Sequence, residues 1–188
     1  MIIGIVGLSG SGKTTIAKQI EARGFFRVSL DDLARELTPY LLPKIVEAFG
    51  EGIVKDGKLD REALSKLVFF DQEAKQKLDA IFADQIWDNL RDLLNENEDI
   101  IVEGYDLPIG LEPDLLLSIH APYPVLTLRL QHREPDTSLE VIRARLAIQS
   151  RVWPGLTHMI KAFAKVDLDT FHQSPEDIEG ILNKWLGE

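Results

Sequence analysis

Residues 7–14 read Gly7-Leu8-Ser9-Gly10-Ser11-Gly12-Lys13-Thr14 and fit the pattern G-x-x-x-x-G-K-[ST]. A largely apolar run, residues 1–6, precedes them and predicts a buried strand, and residues 15–20 have a helical pattern. In this setting the glycines let backbone N–H groups close around phosphate oxygens at a helix N-terminus. The stretch is therefore predicted to be a phosphate-binding loop (the P-loop) rather than a glycine-rich turn that binds nothing.

The P-loop pattern assigns chemistry to its side chains. Lys13 is expected to reach the β- and γ-phosphates of a nucleotide, and the Thr14 hydroxyl is expected to ligate Mg²⁺. The predicted nucleotide-binding residues are Gly7, Ser9, Gly10, Ser11, Gly12, Lys13, Thr14 and Thr15.

Composition narrows the class of protein. The 188 residues suffice for one domain, residues 1–188, and carry a formal net charge of −10. This charge argues against a nucleic-acid partner and against binding to an anionic membrane. The absence of cysteine excludes disulfides and thiolate metal sites, and no apolar segment approaches the ~20 residues of a membrane span. A cytoplasmic protein is expected, and the sequence assigns no oligomeric state.

Short apolar runs alternate with helical segments, which is typical of an α/β fold. The prediction is a five-stranded parallel sheet with helices on both faces, with strands at residues 1–6, 25–29, 100–104, 115–119 and 166–169. Between residues 38 and 98 nearly everything is predicted helical. Pro43 suits the first turn of a helix that ends near Phe49, and Asp60 and Asp71 are predicted N-caps.

The last helix is predicted to begin at an N-cap, Ser174. Its apolar residues recur on one face, which is predicted to pack on the core: Ile178, Ile181, Leu182 and Trp185.

Missing motifs exclude several P-loop classes. The chain has no Asn-Lys-x-Asp motif and no Asp-x-x-Gly after the third strand, so a regulatory GTPase is not expected. The third strand ends in Glu103 rather than the Asp typical of motor and transporter ATPases. The remaining class is a small-molecule kinase, in which an arginine-bearing lid closes over the phosphate donor and the acceptor.

The lid is predicted from charge. Residues 129–151 contain five arginines, no lysine and three acidic residues, in a strongly acidic chain. Arg129 and Arg133 are spaced i,i+4, as are Arg145 and Gln149, so each pair presents planar donors on one helix face. Arg143 cannot point at the same phosphate as Arg145, and Arg145 is favoured. The alternative is a solvated helix face.

Acidic residues follow two predicted strands. Asp31 and Asp32 lie past the end of strand two, where ligands of α/β sheets bind, and one of them is predicted to accept the acceptor hydroxyl's proton. The alternative is that Asp31 caps a helix over residues 32–37. Glu103 is predicted to hold a Mg²⁺-bound water or to contact the acceptor. Its alternative role is a buried partner for Lys13 or an arginine.

Segments beyond the P-loop resemble the dephospho-coenzyme A kinase family. They read Asp31-Asp32-Leu33-Ala34-Arg35, Ile45-Val46-Glu47-Ala48-Phe49-Gly50 and Asp56-Gly57-Lys58-Leu59-Asp60-Arg61-Glu62-Ala63-Leu64. The resemblance implies coenzyme A biosynthesis, by transfer of the ATP γ-phosphate to the ribose 3′-hydroxyl of dephospho-CoA with Mg²⁺. Asp31 stands at the family's catalytic aspartate, and Lys13, Thr14 and Arg145 have phosphate and metal roles. Residues 38–98 correspond to a helical acceptor-binding insertion, and residues 123–164 to the lid with Arg129, Arg133, Arg145 and Gln149.

Three segments depart from the family pattern: residues 82–84, the turn after strand three, and residues 167–170. In the last of them, Asp169-Thr170 is similar to an Asp-Thr turn that lies near adenine in nucleoside and nucleotide kinases. The turn Glu103-Gly104-Tyr105-Asp106 is similar to a Glu-Gly-x-Asp turn that contacts the acceptor in nucleoside and nucleotide kinases. The predicted acceptor-binding residues are thus Asp31, Arg35, Glu103 and Asp106, and the predicted metal residues are Thr14 and Glu103. The alternatives are a nucleoside or nucleoside monophosphate kinase and, in another class, a nucleotide-binding regulatory protein without transfer activity.

Overall fold

Five parallel strands form the centre of the fold. A computed structural model describes residues 1–187, apart from the side chains of residues 69 and 152–158. In chain order the elements are β1 (Ile2–Gly7), α1 (Lys13–Glu21), β2 (Phe26–Ser29), α2 (Leu30–Phe49), a 3₁₀ turn (Glu51–Ile53), β3 (Val54–Lys55), β4 (Lys58–Leu59), α3 (Arg61–Phe70), α4 (Gln72–Glu96), β5 (Ile100–Gly104), β6 (Leu115–His120), α5 (Tyr123–Arg133), α6 (Leu139–Met159), β7 (Ala164–Asp169) and α7 (Pro175–Leu186).

The sheet order is β2-β5-β1-β6-β7, with every pairing parallel. Alternate residues of the central strand point to opposite faces. Ile3 and Ile5 pack in a cluster with residues of α1 and α7, whereas Val6 packs in a second cluster that includes Leu90 of α4. The predicted parallel sheet with helices on both faces is confirmed. Within residues 1–187, no helix has the length and apolar content that crossing a membrane requires.

A single helix replaces two predicted ones after β2. The prediction placed one helix at residues 32–37 and another from Pro43, but α2 runs from Leu30 to Phe49 through Pro39 and Pro43. An interior proline costs about 3 kcal/mol. The compensation lies in a stripe of buried residues that pack against α3 and α4: Leu33, Leu37, Leu41 and Ile45. Residue 38, the expected start of the insertion, therefore lies inside a continuous helix.

The predicted helix starts agree with the structure. The Asp60 carboxylate accepts hydrogen bonds from the backbone N–H groups of Glu62 and Ala63, and Asp71 caps α4 in the same way. Ser174 forms a capping box with Asp177 at the start of α7.

Two details at the periphery of the fold differ from the prediction. Trp185 was predicted to pack on the core but is 38 % exposed, and Leu186, the next residue around α7, packs on the core instead. A small hairpin, β3–β4, was not predicted. Its turn uses Asp56 and Gly57, both with positive φ, which matches the tight turns that Asp-Gly favours.

The core leucines give the first testable prediction. Leu116 of β6 is fully buried between helices, whereas Leu128 of α5 is 66 % exposed. Leu116→Ala is expected to lower the free energy of unfolding by about 2–5 kcal/mol, because it removes buried apolar surface and leaves a cavity. The matched control, Leu128→Ala, is expected to change it by less than about 0.5 kcal/mol. Urea unfolding of both variants measures the difference, and equal losses would contradict the assigned core.

Candidate active site

The P-loop connects β1 to α1 as predicted. Gly10 and Gly12 have φ values of 82° and 99°, in the left-handed region that favours glycine. A Cβ at Gly10 would lie 3.0 Å from the Leu126 carbonyl oxygen, and one at Gly12 would lie 3.2 Å from the Thr170 methyl group. The first turn of α1 lies entirely within the residues that the structure describes. It contains no acidic residue, and no side chain caps it. Its N–H groups and dipole therefore favour an anion at this position.

Lys13 is the first residue of α1 and is buried. Its Nζ donates a hydrogen bond to the Leu8 carbonyl oxygen at 3.2 Å, so the side chain curls over the P-loop. Burial lowers the pKa of Lys13, the carboxylates of Asp31 and Glu103 raise it, and Arg133 lowers it. The ammonium group thus lies in the field of both acidic residues that the sequence analysis selected.

Glu103 is 2 % exposed at the end of β5 and has two partners. Its Oε2 accepts a hydrogen bond from Thr14 Oγ1 at 3.0 Å, and its Oε1 forms an ion pair with Arg27. The alternative predicted for Glu103, pairing with an arginine, is therefore present. Sequence reasoning did not select Arg27, because a lone arginine in β2 carries no motif.

The pair of oxygens on Thr14 and Glu103 fits a magnesium ion chemically. Mg²⁺ prefers hard oxygen ligands and usually keeps waters and substrate phosphates in its coordination shell. Among the described residues, no group of three or more His, Cys, Asp and Glu side chains could hold a metal. A cation at Thr14 and Glu103 would therefore need phosphate and water oxygens to complete its shell.

Asp31 is exposed in the first turn of α2 and is not the helix cap. Ser29 is the N-cap, because its Oγ accepts a hydrogen bond from the Asp32 N–H at 3.2 Å. The capping alternative for Asp31 is therefore wrong. Arg35, which was predicted near the acceptor, forms an exposed ion pair with Asp32.

Asp106 is a partly buried carboxyl in the turn after β5. Burial raises its pKa to about 6, and the negative charges of Asp79 and Asp31 act in the same direction against the lowering effect of Lys75. The structure thus places Asp106 and Asp31 near enough to interact electrostatically. Lys75 and Asp79, which form an ion pair on α4, were not selected from the sequence.

The raised pKa of Asp106 predicts a pH-dependent stability. The folded state releases the Asp106 proton near pH 6 and the unfolded chain releases it near pH 4. Ionisation of Asp106 therefore lowers the free energy of unfolding by about 3 kcal/mol at higher pH. This loss of stability is absent below about pH 4, grows as the pH rises to 6, and is constant above pH 6. Asp106→Asn is therefore expected to unfold at higher temperature than wild type at pH 8, with a smaller gain at pH 4. A gain that does not change with pH would contradict this.

Arg129, predicted to belong to the lid, joins three segments around the P-loop. Its Nη1 donates to the Gly10 carbonyl at 3.2 Å and to Thr170 Oγ1 at 3.0 Å, and its Nη2 donates to the Thr170 carbonyl at 3.1 Å. The Thr170 hydroxyl donates to the Ser11 carbonyl at 2.6 Å. Thr170 was missing from the predicted site because the contact joins residues 159 positions apart.

The other predicted lid residues contact either Ser9 or Glu134. Gln149 is buried and makes reciprocal hydrogen bonds with Ser9, accepting from its N–H at 3.0 Å and donating to its Oγ at 3.1 Å. Arg133 and Arg145 both form ion pairs with Glu134. The expected lid, residues 123–164, includes the side chains of residues 152–158, which lie outside the described part.

A cleft of about 620 Å³ opens beside the P-loop, within the size range of small-molecule sites. It is lined by the end of the P-loop, α1, two arginines of α5, the turn before α7 and the start of α7: Gly10, Gly12, Lys13, Thr14, Thr15, Ile16, Gln19, Arg129, Arg133, Thr170, Gln173, Pro175 and Ile178. Sequence reasoning selected the P-loop and the arginines as site residues, but it did not select the residues of the turn or of α7.

Comparison with known proteins assigns this arrangement to a family. The family model for dephospho-CoA kinase matches residues 1–150. A curated dephospho-CoA kinase of Moorella thermoacetica is 35 % identical over 79 % of this chain and 76 % of its own.

Two solved structures agree in fold over nearly the whole chain. The Thermus thermophilus protein TT1252 is 26 % identical, with a TM-score of 0.69, and the match covers 99 % of this chain and 96 % of that one. A dephospho-CoA kinase from Campylobacter jejuni is 21 % identical, with a TM-score of 0.55 over 98 % and 95 %. The fold is that of a P-loop kinase, and the chain belongs to the dephospho-CoA kinase family of phosphotransferases.

Proposed function

We propose that the protein transfers the γ-phosphate of ATP to the ribose 3′-hydroxyl of dephospho-CoA. The observation that carries this proposal is the joint placement of Lys13 and Asp31, in which the Asp31 carboxylate acts on the buried ammonium of the P-loop. A phosphate donor held by Lys13 and a hydroxyl held by Asp31 would therefore meet. Membership of the dephospho-CoA kinase family supports the choice of acceptor.

The donor nucleotide would occupy the cleft beside the P-loop. Backbone N–H groups of the P-loop and the start of α1 would bind the phosphates, with Lys13 at the β- and γ-phosphates. The nucleoside would lie toward Arg129 and the turn at Thr170, which close the other side of the cleft.

Thr14 and Glu103 would hold Mg²⁺, directly or through a water. The ion would supply positive charge to the β- and γ-phosphate oxygens as negative charge develops there. The hydrogen bond between Thr14 and Glu103 holds these two oxygens 3.0 Å apart.

In the proposed reaction, Asp31 accepts the proton of the acceptor hydroxyl as its oxygen attacks the γ-phosphorus. A new O–P bond forms, the bond between the γ-phosphorus and its bridging oxygen breaks, and ADP leaves with that oxygen. Lys13 stabilises the charge that builds up on the phosphate oxygens. Arg145 would contact the transferred group when residues 123–164 close as a lid.

The acceptor would be bound by residues at the ends of β2 and β5. Arg35, Glu103 and Asp106 are proposed to orient it together with Asp31, and the insertion over residues 38–98 would enclose its other end. The partner is a small molecule, and a cytoplasmic site of action is proposed because dephospho-CoA kinases act on a soluble metabolite.

An acceptor screen tests the proposal. The purified protein is incubated with ATP and Mg²⁺ and with dephospho-CoA, adenosine, deoxyadenosine or AMP, and ADP release is measured. Dephospho-CoA is expected to give the fastest turnover, and ³¹P NMR of the product is expected to show a 3′-monophosphate. Preference for a nucleoside or for AMP would overturn the acceptor. Nucleotide binding without transfer to any of them would favour a regulatory protein.

A further inference from the structure

We infer that Glu134 is a positioning residue that holds Arg145 and Arg133 together at the edge of the donor cleft. This inference rests on the proposed function, because its effect is on phosphoryl transfer. Glu134 follows the last residue of α5, where its N–H donates to the Leu130 carbonyl at 2.8 Å. Its backbone is thereby fixed at the end of a helix.

The Glu134 carboxylate binds both arginines at once. Arg145 approaches it with two nitrogens, Nη1 at 3.1 Å from Oε1 and Nη2 at 2.9 Å from Oε2. Arg133 donates through Nη2 to the same Oε1 at 2.6 Å. A two-point contact between guanidinium and carboxylate fixes the plane of the guanidinium as well as its position. Glu134 therefore sets the orientation of Arg145 on α6 relative to Arg133 on α5.

Burial makes this contact stronger than an ordinary surface ion pair. The side chains of Arg145 and Glu134 are 15 % and 24 % exposed. Hydrogen bonds and charge from both arginines lower the pKa of Glu134 although burial opposes them, so the carboxylate is ionised at neutral pH. Exposed pairs are weak because water screens them, whereas a shielded two-point pair restricts its side chains more tightly.

The group of Glu134, Arg133 and Arg145 reaches the donor cleft through Arg133. Arg133 lines the donor cleft, and its charge acts on Lys13. Held by one carboxylate, the two arginines form a preorganised pair of cations, one of which lines the donor cleft. Preorganised positive charge is what stabilises a phosphoryl-transfer transition state.

The chain offers a matched control pair whose members do not line this cleft. Arg23 and Glu179 form an ion pair between the end of α1 and α7, with side chains 14 % and 50 % exposed. Glu179→Gln removes a carboxylate from a partly shielded arginine, as Glu134→Gln does. It is expected to change thermal stability without changing turnover.

Steady-state kinetics with dephospho-CoA tests the role of Glu134. Glu134→Gln is expected to lower kcat about 10- to 100-fold, because phosphoryl transfer slows when the Arg145 guanidinium is no longer correctly oriented. The KM for ATP is expected to change less than about threefold, and Glu134→Asp should recover part of kcat. In an Arg145→Ala background, Glu134→Gln should lower kcat much less than in wild type, because the residue acts through that arginine.

Two results would overturn the inference. One is an unchanged kcat in Glu134→Gln, with only the stability loss that Glu179→Gln also shows. The other is a full additional loss of kcat in the Arg145→Ala background. If wild type uses a different acceptor, the proposed substrate fails while the same comparison with that acceptor still tests Glu134. A wild type without transfer activity on any acceptor would overturn both.

Discussion

Lys13→Ala is expected to lose about 10³-fold in phosphoryl transfer, the upper end of the loss when one charge-stabilising donor is removed. The substitution takes away the only side-chain cation that the P-loop contributes to the phosphates. Stability is expected to be kept, because the buried ammonium is an unfavourable charge whose pKa burial lowers. Turnover with saturating ATP and acceptor measures the first effect, and thermal unfolding without ligand measures the second.

Lys18→Ala is the matched control for this experiment. Lys18 lies on the same helix, five residues further along, and is exposed. Its removal is expected to leave turnover within about twofold, since an exposed charge is screened by water and salt. Turnover near the wild-type rate in Lys13→Ala would overturn the assignment of the P-loop to phosphate binding.

Asp31→Asn is expected to lower kcat by about 10²–10⁴-fold, the range for removing a general base. The amide keeps the shape of the side chain but cannot accept the hydroxyl proton. Its effect on stability is expected to stay below about 1 kcal/mol, because Ser29 caps α2 and Asp31 is an exposed side chain whose charge acts on the helix dipole, Lys13 and Asp106 without capping the helix.

Asp32→Asn is the control for the interaction of an acidic side chain with the dipole of α2. Both aspartates lie in the first turn of α2, so both substitutions remove one charge from the same helix end. Asp32 pairs with Arg35 at the surface, and its substitution is expected to change kcat less than threefold. Equal losses of kcat in the two variants would indicate a general electrostatic effect rather than a base at Asp31.

The fold was predictable where the signal is local. The P-loop, the N-caps Asp60 and Asp71 and the apolar strands each depend on residues within a few positions, and all three appear as expected. Helix α2 was divided at Pro43 because proline disfavours a helix interior. The packing of Leu37, Leu41 and Ile45 against α3 and α4 offsets that local cost, and this packing is a tertiary effect.

The candidate site was predictable for residues that carry a motif and not for their partners. The sequence selected Glu103 and Arg145, but the contacts that hold them come from Arg27 and Glu134. Neither partner belongs to a recognisable pattern, since an ion pair needs only opposite charges brought together by the fold. Arg129 and Gln149 were predicted to be lid residues, and their hydrogen bonds are to the P-loop and Thr170.

The central position of β1 has a consequence for synthesis on the ribosome. Both partners of this strand, β5 and β6, begin at residue 100 or later. At about 5–20 residues per second, an apolar nascent strand waits roughly 5–20 s before its first partner is made. The cluster formed by residues 33–86 can assemble during that interval from contacts within its own segment. Residues 7–14 are translated well before Thr170, and their loop is complete only when Thr170 reaches Ser11.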